Sequence, residues 1–273
     1  MTETEPTERI LAGYPSTTAV AVLDPRDALI LDERADQSCL PGSTVKLMTA
    51  IVALTVLDDL DQELTVVAED LRRGSGNNLR AGDTLSFWDA LHNLLLPSSN
   101  TTAGMLVRIV GAMLSQRRPI TAFIAAMNYE RFRLGLHDTR FTNATGLYRP
   151  GMPITSTAHD IARLVRAASR NPVISELWSK KTYELTIGGP QARTVPIVST
   201  IPELGPRVIG AKTGSTPIEN LFGVACLLDT GHIASVVGTT KDDRWDILAR
   251  TLDRLPSHQG SDLPSITSTE APE

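Results

Sequence analysis

The chain has 273 residues, of which 41% are hydrophobic and 21% charged, and its formal net charge is -5. That length suits one large domain or two packed together, with enough apolar material for a substantial core. The acidic balance and the lack of a basic run give no case for a nucleic-acid partner, and no stretch of about 18 apolar residues offers a membrane anchor.

Met1 to Pro15 reads as a flexible arm, and Met1 to Arg9 is polar and acidic, unlike a signal peptide. Thr17 to Leu23 is a β-branched run typical of a buried strand, Asp24 to Asp27 a turn, and Ala28 to Asp32 the second strand of a hairpin. Pro41 and Gly42 end that segment, and Ser43 to Leu57 reads as a helix apolar on nearly all sides, hence buried. Leu64 to Val67 is strand-like, and the segments Gly74 to Asn78 and Ala81 to Asp83 are loops, the first Gly/Asn-rich and mobile in expectation. Helical periodicity runs from Phe87 to Pro97, from Thr101 to Leu114 and from Ile120 to Leu134, with an irregular exit over Gly135 to Gly151. Thr157 to Ser169 is a further helix, opened by cap residues. Beyond Pro172 the pattern reverts to strands: Thr182 to Ile187, Val208 to Lys212, Leu221 to Leu228 and His232 to Thr239, the last two joined by a turn at Asp229 to Gly231. Arg244 to Leu255 is a closing amphipathic helix, and the Ser/Pro/Thr/Glu-rich tail from Pro256 reads as disordered.

Strands at both ends with helices between them imply an α/β fold, an antiparallel sheet flanked by helices with an all-helical insertion. On this reading residues 16–60 and 173–255 form a discontinuous α/β domain, 61–172 a mainly helical insertion, and 1–15 and 256–273 flexible tails. The apolar helix after Ser43 falls at the junction, where a cleft is expected.

Three polar clusters stand out. Ser43 and Lys46 lie one helical turn apart, and only five of the 26 basic residues are lysines, so one placed in an apolar helix is costly. Burial lowers an ammonium's pKa and leaves an amine able to take a hydroxyl proton. Ser98-Ser99-Asn100 lies in the turn between two helices, where it can aim a hydroxyl and an amide at the cleft or simply cap the next helix. Ser75-Gly76-Asn77 repeats that spelling but lies in the glycine-rich loop. Lys212-Thr213-Gly214 places a cation and a hydroxyl on a strand, beside a glycine that allows another backbone to approach. Each cluster alone has a plain structural explanation: a capping serine, a snorkelling lysine, an edge strand. The five histidines show no metal-binding spacing, and Cys39 and Cys226 leave a disulfide, a thiol pair and unrelated core residues all open.

In this order, Ser43-x-x-Lys46, Ser98-x-Asn100 and Lys212-Thr213-Gly214 resemble the signature of penicillin-binding proteins and serine β-lactamases. The segment from Leu134 to Leu147, with Leu79 to Asp83 and Leu94 to Ser98, is more narrowly similar to the low-molecular-mass serine D-Ala-D-Ala carboxypeptidases. The resemblance spans roughly Ala19 to Leu252 and implies the β-lactamase/transpeptidase-like fold. It implies that Ser43 is the acylated nucleophile, Lys46 its base, Ser98 the proton relay and Asn100 a substrate-amide ligand. It also implies that Lys212 and Thr213 take the terminal carboxylate, that Gly214 and Arg244 belong to substrate binding, and that the N–H groups of Ser43 and Ser215 form the oxyanion hole. The implied partners are peptidoglycan stem peptides and inhibitory β-lactams, outside the cytoplasm, with no metal or organic cofactor.

Thr101 and Thr102 follow Asn100 where the family usually has an acid and an alanine, and the family's Asn-containing stretch is absent around Val195 to Leu204. The family's C-terminal β domain and amphipathic membrane helix are also not found. A β-lactamase would need a deacylating glutamate, and its Glu-x-x-Leu-Asn pattern is absent although Glu130, Glu176, Glu184 and Glu203 lie in the interval. A non-catalytic peptidoglycan-binding protein on the same fold is the rival from another class.

Overall fold

The structure is a computed structural model, and it describes residues 10–257. Strands β1 (Ala19–Leu23) and β2 (Leu29–Glu33) form the expected hairpin, closed where the Asp24 carboxylate accepts from the N–H groups of Arg26 and Ala28, both at 2.8 Å. A 3-10 turn over Gly42–Val45 leads into α1 (Lys46–Leu54), so the serine precedes the α-helix and the helix is shorter than its sequence suggests. Two short strands, β3 (Glu63–Thr65) and β4 (Thr84–Ser86), pair ahead of α2 (Phe87–Leu95), α3 (Asn100–Leu114) and α4 (Pro119–Arg133). Then come α5 (Ala158–Ser169) and α6 (Pro172–Trp178), followed by the ribbon of β5 (Thr182–Ile187) and β6 (Arg193–Val198). The chain closes with β7 (Val208–Thr216), β8 (Leu221–Leu228), β9 (Ile233–Thr239) and α7 (Asp243–Leu252).

Strands from both ends build one antiparallel sheet in the order β2-β1-β9-β8-β7, which leaves β7 at an edge. Alternation along β1 divides the core in two. Ala19, Ala21 and Leu23 join the larger cluster beneath α1 and α5, while Val20 and Val22 face the smaller one under α7. Burying both faces explains why β1 is a continuous apolar run. Helix α5 packs on β1, β8 and β9, and α1 touches α2, α3, α4 and α5. Lys46 therefore starts a helix surrounded on nearly every side.

Four further sequence expectations need correction. Ile10 and Leu11 are buried, and their N–H groups donate to the Glu33 carboxylate at 2.7 and 3.0 Å, so this part of the arm is anchored. Residues 1–9 and 258–273 lie outside the described residues. The segment after Pro172 is a helix because Asn171 accepts from the N–H groups of Val173 and Ile174 and Pro172 occupies the first helical position, a start signal rather than a break. The loop at Gly74 to Asn78 is pinned: Ser75 O accepts from Asn100 N at 3.1 Å and Gly76 O from Ser99 Oγ at 3.0 Å. Helix α7 ends at Leu252, three residues early. Cys39 and Cys226 are both free thiols, pushed up to about 12 by burial.

Candidate active site

Three elements converge on the start of α1. In the 3-10 turn residues i and i+3 eclipse, so the Lys46 amine reaches Ser43 Oγ at 2.8 Å. The second partner of that amine is the Thr145 carbonyl, also at 2.8 Å. Backbones approach closely here. A Cβ on Gly42 would lie 2.5 Å from Ser215 N, and one on Gly146 would lie 1.9 Å from Gly42 O and 2.9 Å from Ser43 N. The backbone that comes close to Gly214 is the chain's own, since a Cβ there would lie 2.3 Å from Pro41 O. These glycines lock β7 and the loop after Asn143 against the Ser43 turn.

The turn between α2 and α3 supplies the second cluster. Ser99, not Ser98, caps α3 by accepting from Thr102 N at 3.2 Å. Ser98 is buried with φ +63°, a strained conformation for a residue with a Cβ, and its hydroxyl accepts from the Lys212 amine at 2.9 Å. Asn100 is turned toward the pinned loop, where its Nδ2 donates to Arg73 O at 3.0 Å. On β7, Thr213 Oγ1 pairs with Thr200 Oγ1 at 2.8 Å. Arg244 is buried, with its guanidinium 4.5 Å from the Trp245 ring and, among the described residues, no partner for Nε or Nη1.

A profile of the D-alanyl-D-alanine carboxypeptidase family, peptidase S11, matches residues 8–239. The chain belongs to that family. D-alanyl-D-alanine carboxypeptidase DacB2 of Mycobacterium tuberculosis is 32% identical over 225 residues, covering 78% of this chain and 72% of that protein. The D-alanyl-D-alanine endopeptidase of Pseudomonas aeruginosa is 33% identical over 64% of this chain, but only 56% of its own length is spanned. The solved DD-transpeptidase of Streptomyces K15 superposes with a TM-score of 0.77 at 24% identity, over 86% of this chain and 94% of that one, a likeness of fold. Membership makes the chain a serine-type carboxypeptidase working through an acyl-enzyme, on the mixed α/β architecture the sequence implied. The family acts on peptidoglycan peptides and binds β-lactams. No described helix is long and apolar enough to cross a membrane.

In this S11 member the electrostatics are unusual for a globular interior. Lys46, Lys212 and Arg244 are all buried, and among the described residues none makes a salt bridge. Burial, with the Lys212 charge adding to it, holds the Lys46 amine well below the usual lysine range. Burial and the Arg244 charge bring Lys212 down to about 7, and burial lowers Arg244 as well. The site thus stores positive potential that an anionic ligand would relieve.

Sequence reasoning missed the residues that hold this arrangement. Asn143 Oδ1 accepts from Thr145 N, Thr145 Oγ1 and Gly146 N at 3.1, 2.9 and 2.9 Å, which fixes the Thr145 carbonyl in front of Lys46. Thr49, one turn along α1, binds the Ala144 carbonyl at 2.8 Å. The signal was present in Phe141 to Leu147, a match without an assigned job. Thr200 carried none: it lies in the stretch after β6 where the family's asparagine pattern is missing.

Proposed function

We infer that Ser43 is the nucleophile of a D-Ala-D-Ala carboxypeptidase that trims peptidoglycan stem peptides outside the cytoplasm, and that β-lactams inhibit it by acylating the same hydroxyl. The observation that carries this reading is the Ser43 Oγ to Lys46 Nζ hydrogen bond of 2.8 Å, made by a buried amine whose other partner is a neutral carbonyl. An amine held neutral in this way is a base for the serine proton.

Ser43 Oγ attacks the penultimate D-alanine carbonyl as its proton passes to Lys46 Nζ. The oxyanion is held by the N–H groups of Ser43 and Ser215, which the glycine contacts at Gly42 and Gly146 keep close together. Collapse breaks the peptide bond, and the proton taken up by Lys46 Nζ passes to the leaving amine by way of the Ser98 hydroxyl, which the Lys212 ammonium orients by donating to it. Lys212, Thr213 and Arg244 hold the terminal carboxylate, which supplies the anion their burial lacks. Water, activated by the Lys46 amine once more neutral, finally releases the acyl group from Ser43. Against a β-lactamase, Glu130 is bonded to Arg133, Glu176 is paired with Lys180, and neither is hydrogen bonded to Ser43 or Lys46.

Intact-mass measurement with a penicillin tests this. A persistent adduct that Ser43→Ala abolishes, with D-alanine released from a D-Ala-D-Ala peptide, is expected. Rapid return to free mass with hydrolysed drug identifies a β-lactamase instead, and the absence of any adduct or release defeats both enzymatic readings.

A further inference from the structure

The loop that presents the Thr145 carbonyl to Lys46 also walls a cavity of about 230 Å3 that neither Ser43 nor Lys46 lines. Thr142 to Thr145, Leu147 and Arg149 form one side, a face of α3 at Gly104, Val107 and Arg108 another, and the start of α4 a third. Much of the lining is aliphatic: Val107, Ile120, Ile124 and Leu147. Ile120 and Leu147 leave 62% and 41% of their surface in water, so these apolar walls lack a filling.

The charges at the rim are uneven. Arg108 is neutralised by Asp70 at 2.7 Å. Among the described residues the Arg72 guanidinium donates only to the backbone carbonyls of Glu69 and Leu71, at 2.6 and 2.8 Å, and the Arg149 side chain has no partner. Against these two guanidiniums the lining offers one further carboxylate, Glu69. Helix α4 opens on the same rim with no side chain capping its first turn, which adds the positive end of its dipole. Aliphatic walls with a few convergent polar groups are the features of a small-molecule site, and a guanidinium free of carboxylates selects an anion. A volume of about 230 Å3 leaves room for a short-chain carboxylate.

We propose that this cavity is a second ligand site, separate from the Ser43 cleft, for a short aliphatic carboxylate, and that its occupant braces the loop holding Lys46. The hydrocarbon chain covers Val107, Ile120, Ile124 and Leu147, and the carboxylate meets Arg149 and Arg72. A filled cavity limits the motion of the segment from Asn143 to Leu147, so the Thr145 carbonyl and the Lys46 amine stay in the geometry that activates Ser43. The bracing rests on the Ser43 and Lys46 reading above; the ligand site does not.

Hexanoate is the probe, with hexanol and acetate isolating its two halves. Titrated into the isotopically labelled full chain, hexanoate should give saturable NMR shifts at Gly104, Leu147 and Arg149. Hexanol should bind at least fivefold more weakly, and acetate should give no saturable shift at these residues. Arg149→Gln, on an exposed side chain, should weaken hexanoate at least threefold, and Ile124→Trp should fill the cavity and abolish the shifts while the spectrum stays folded. Saturating hexanoate should raise the acylation rate by a fluorescent penicillin severalfold, and the rise should vanish in Ile124→Trp. No saturable shift, or equal binding of hexanol and hexanoate, overturns the site. Binding that leaves the acylation rate unchanged or lowers it overturns the bracing. A protein that binds hexanoate but is never acylated keeps the site and discards the Ser43 reading.

Discussion

Two buried lysines stand at the centre of this molecule, and they are kept for different work. Lys46 starts α1, surrounded by helices, and its amine meets a serine hydroxyl and a backbone carbonyl. Lys212 lies on the edge strand β7, bonded to the Ser98 hydroxyl and, at 3.3 Å, to the carbonyl of Thr213, with the Arg244 charge in range. Both are pushed toward the neutral form, but Lys46 has its partners at hand while Lys212 and Arg244 share a site short of an anion. The first arrangement suits a base that must be neutral before substrate arrives. The second suits a cation that substrate completes, because a bound carboxylate raises the Lys212 pKa again and recovers the cost of its burial.

Replacing Lys46 should separate the two most sharply. Lys46→Met is expected to lower the acylation rate by on the order of a thousandfold, and Lys46→Arg to do no better, since a guanidinium stays charged and cannot accept the proton. Stopped-flow acylation with a chromogenic β-lactam measures both, and a Lys46→Arg variant with near-normal rates would end the base assignment. Lys212→Met should cost on the order of a hundredfold in kcat/KM for a carboxylate-bearing peptide, and much less for the same peptide amidated at its C-terminus. Equal losses on the two peptides would remove Lys212 from carboxylate recognition.

Stability should respond to Lys212 with the opposite sign. Its folded-state pKa of about 7 lies below the unfolded value of about 10.4, so between those pH values the unfolded chain holds a proton that the fold has released. Unfolding free energy therefore rises with pH across that window and is smallest below 7, an effect on the order of a few kcal/mol. Lys212→Met should be more stable than the parent at pH 6 and lose that margin by pH 10, read by urea unfolding at both. A margin that does not change with pH would place the Lys212 charge in solvent.

Most of the fold was legible because its signals are local. The unbroken apolar run of β1, the cap residues before α5 and the turn at Asp229 to Gly231 each settle their own element. Where the reading failed, a local signal was missed or had two meanings: the chain beyond Pro172 read as reverting to strands but first forms α6, and Ser43 read as the first residue of an α-helix but lies in a 3-10 turn. The site was legible in its charged and hydroxyl groups, since a lysine in an apolar helix is conspicuous. Thr145 and Asn143 were not, because a backbone carbonyl has no side-chain signature and its partner Lys46 is 99 residues away in sequence. Arg244 was named by the resemblance alone, since nothing in its amphipathic helix marks it as buried with its guanidinium over the Phe222 and Trp245 rings.

The smallest expected effect concerns Ser98, where function and stability pull apart at a single atom. Its φ of +63° is natural for glycine and strained for serine. Ser98→Gly should relieve that strain by about 1 kcal/mol, although the Lys212 amine loses its hydroxyl acceptor and returns part of the gain. Ser98→Ala keeps the strain and loses the same acceptor, so it should be the less stable of the two. Both should lose the proton relay alike, with D-alanine release slowed by a similar factor in each. The comparison of the two variants thus isolates the backbone from the hydroxyl. Matched rates with unmatched unfolding midpoints fit a serine kept in a poor conformation for its hydroxyl. A glycine variant that retains parental turnover would show that the hydroxyl carries no proton.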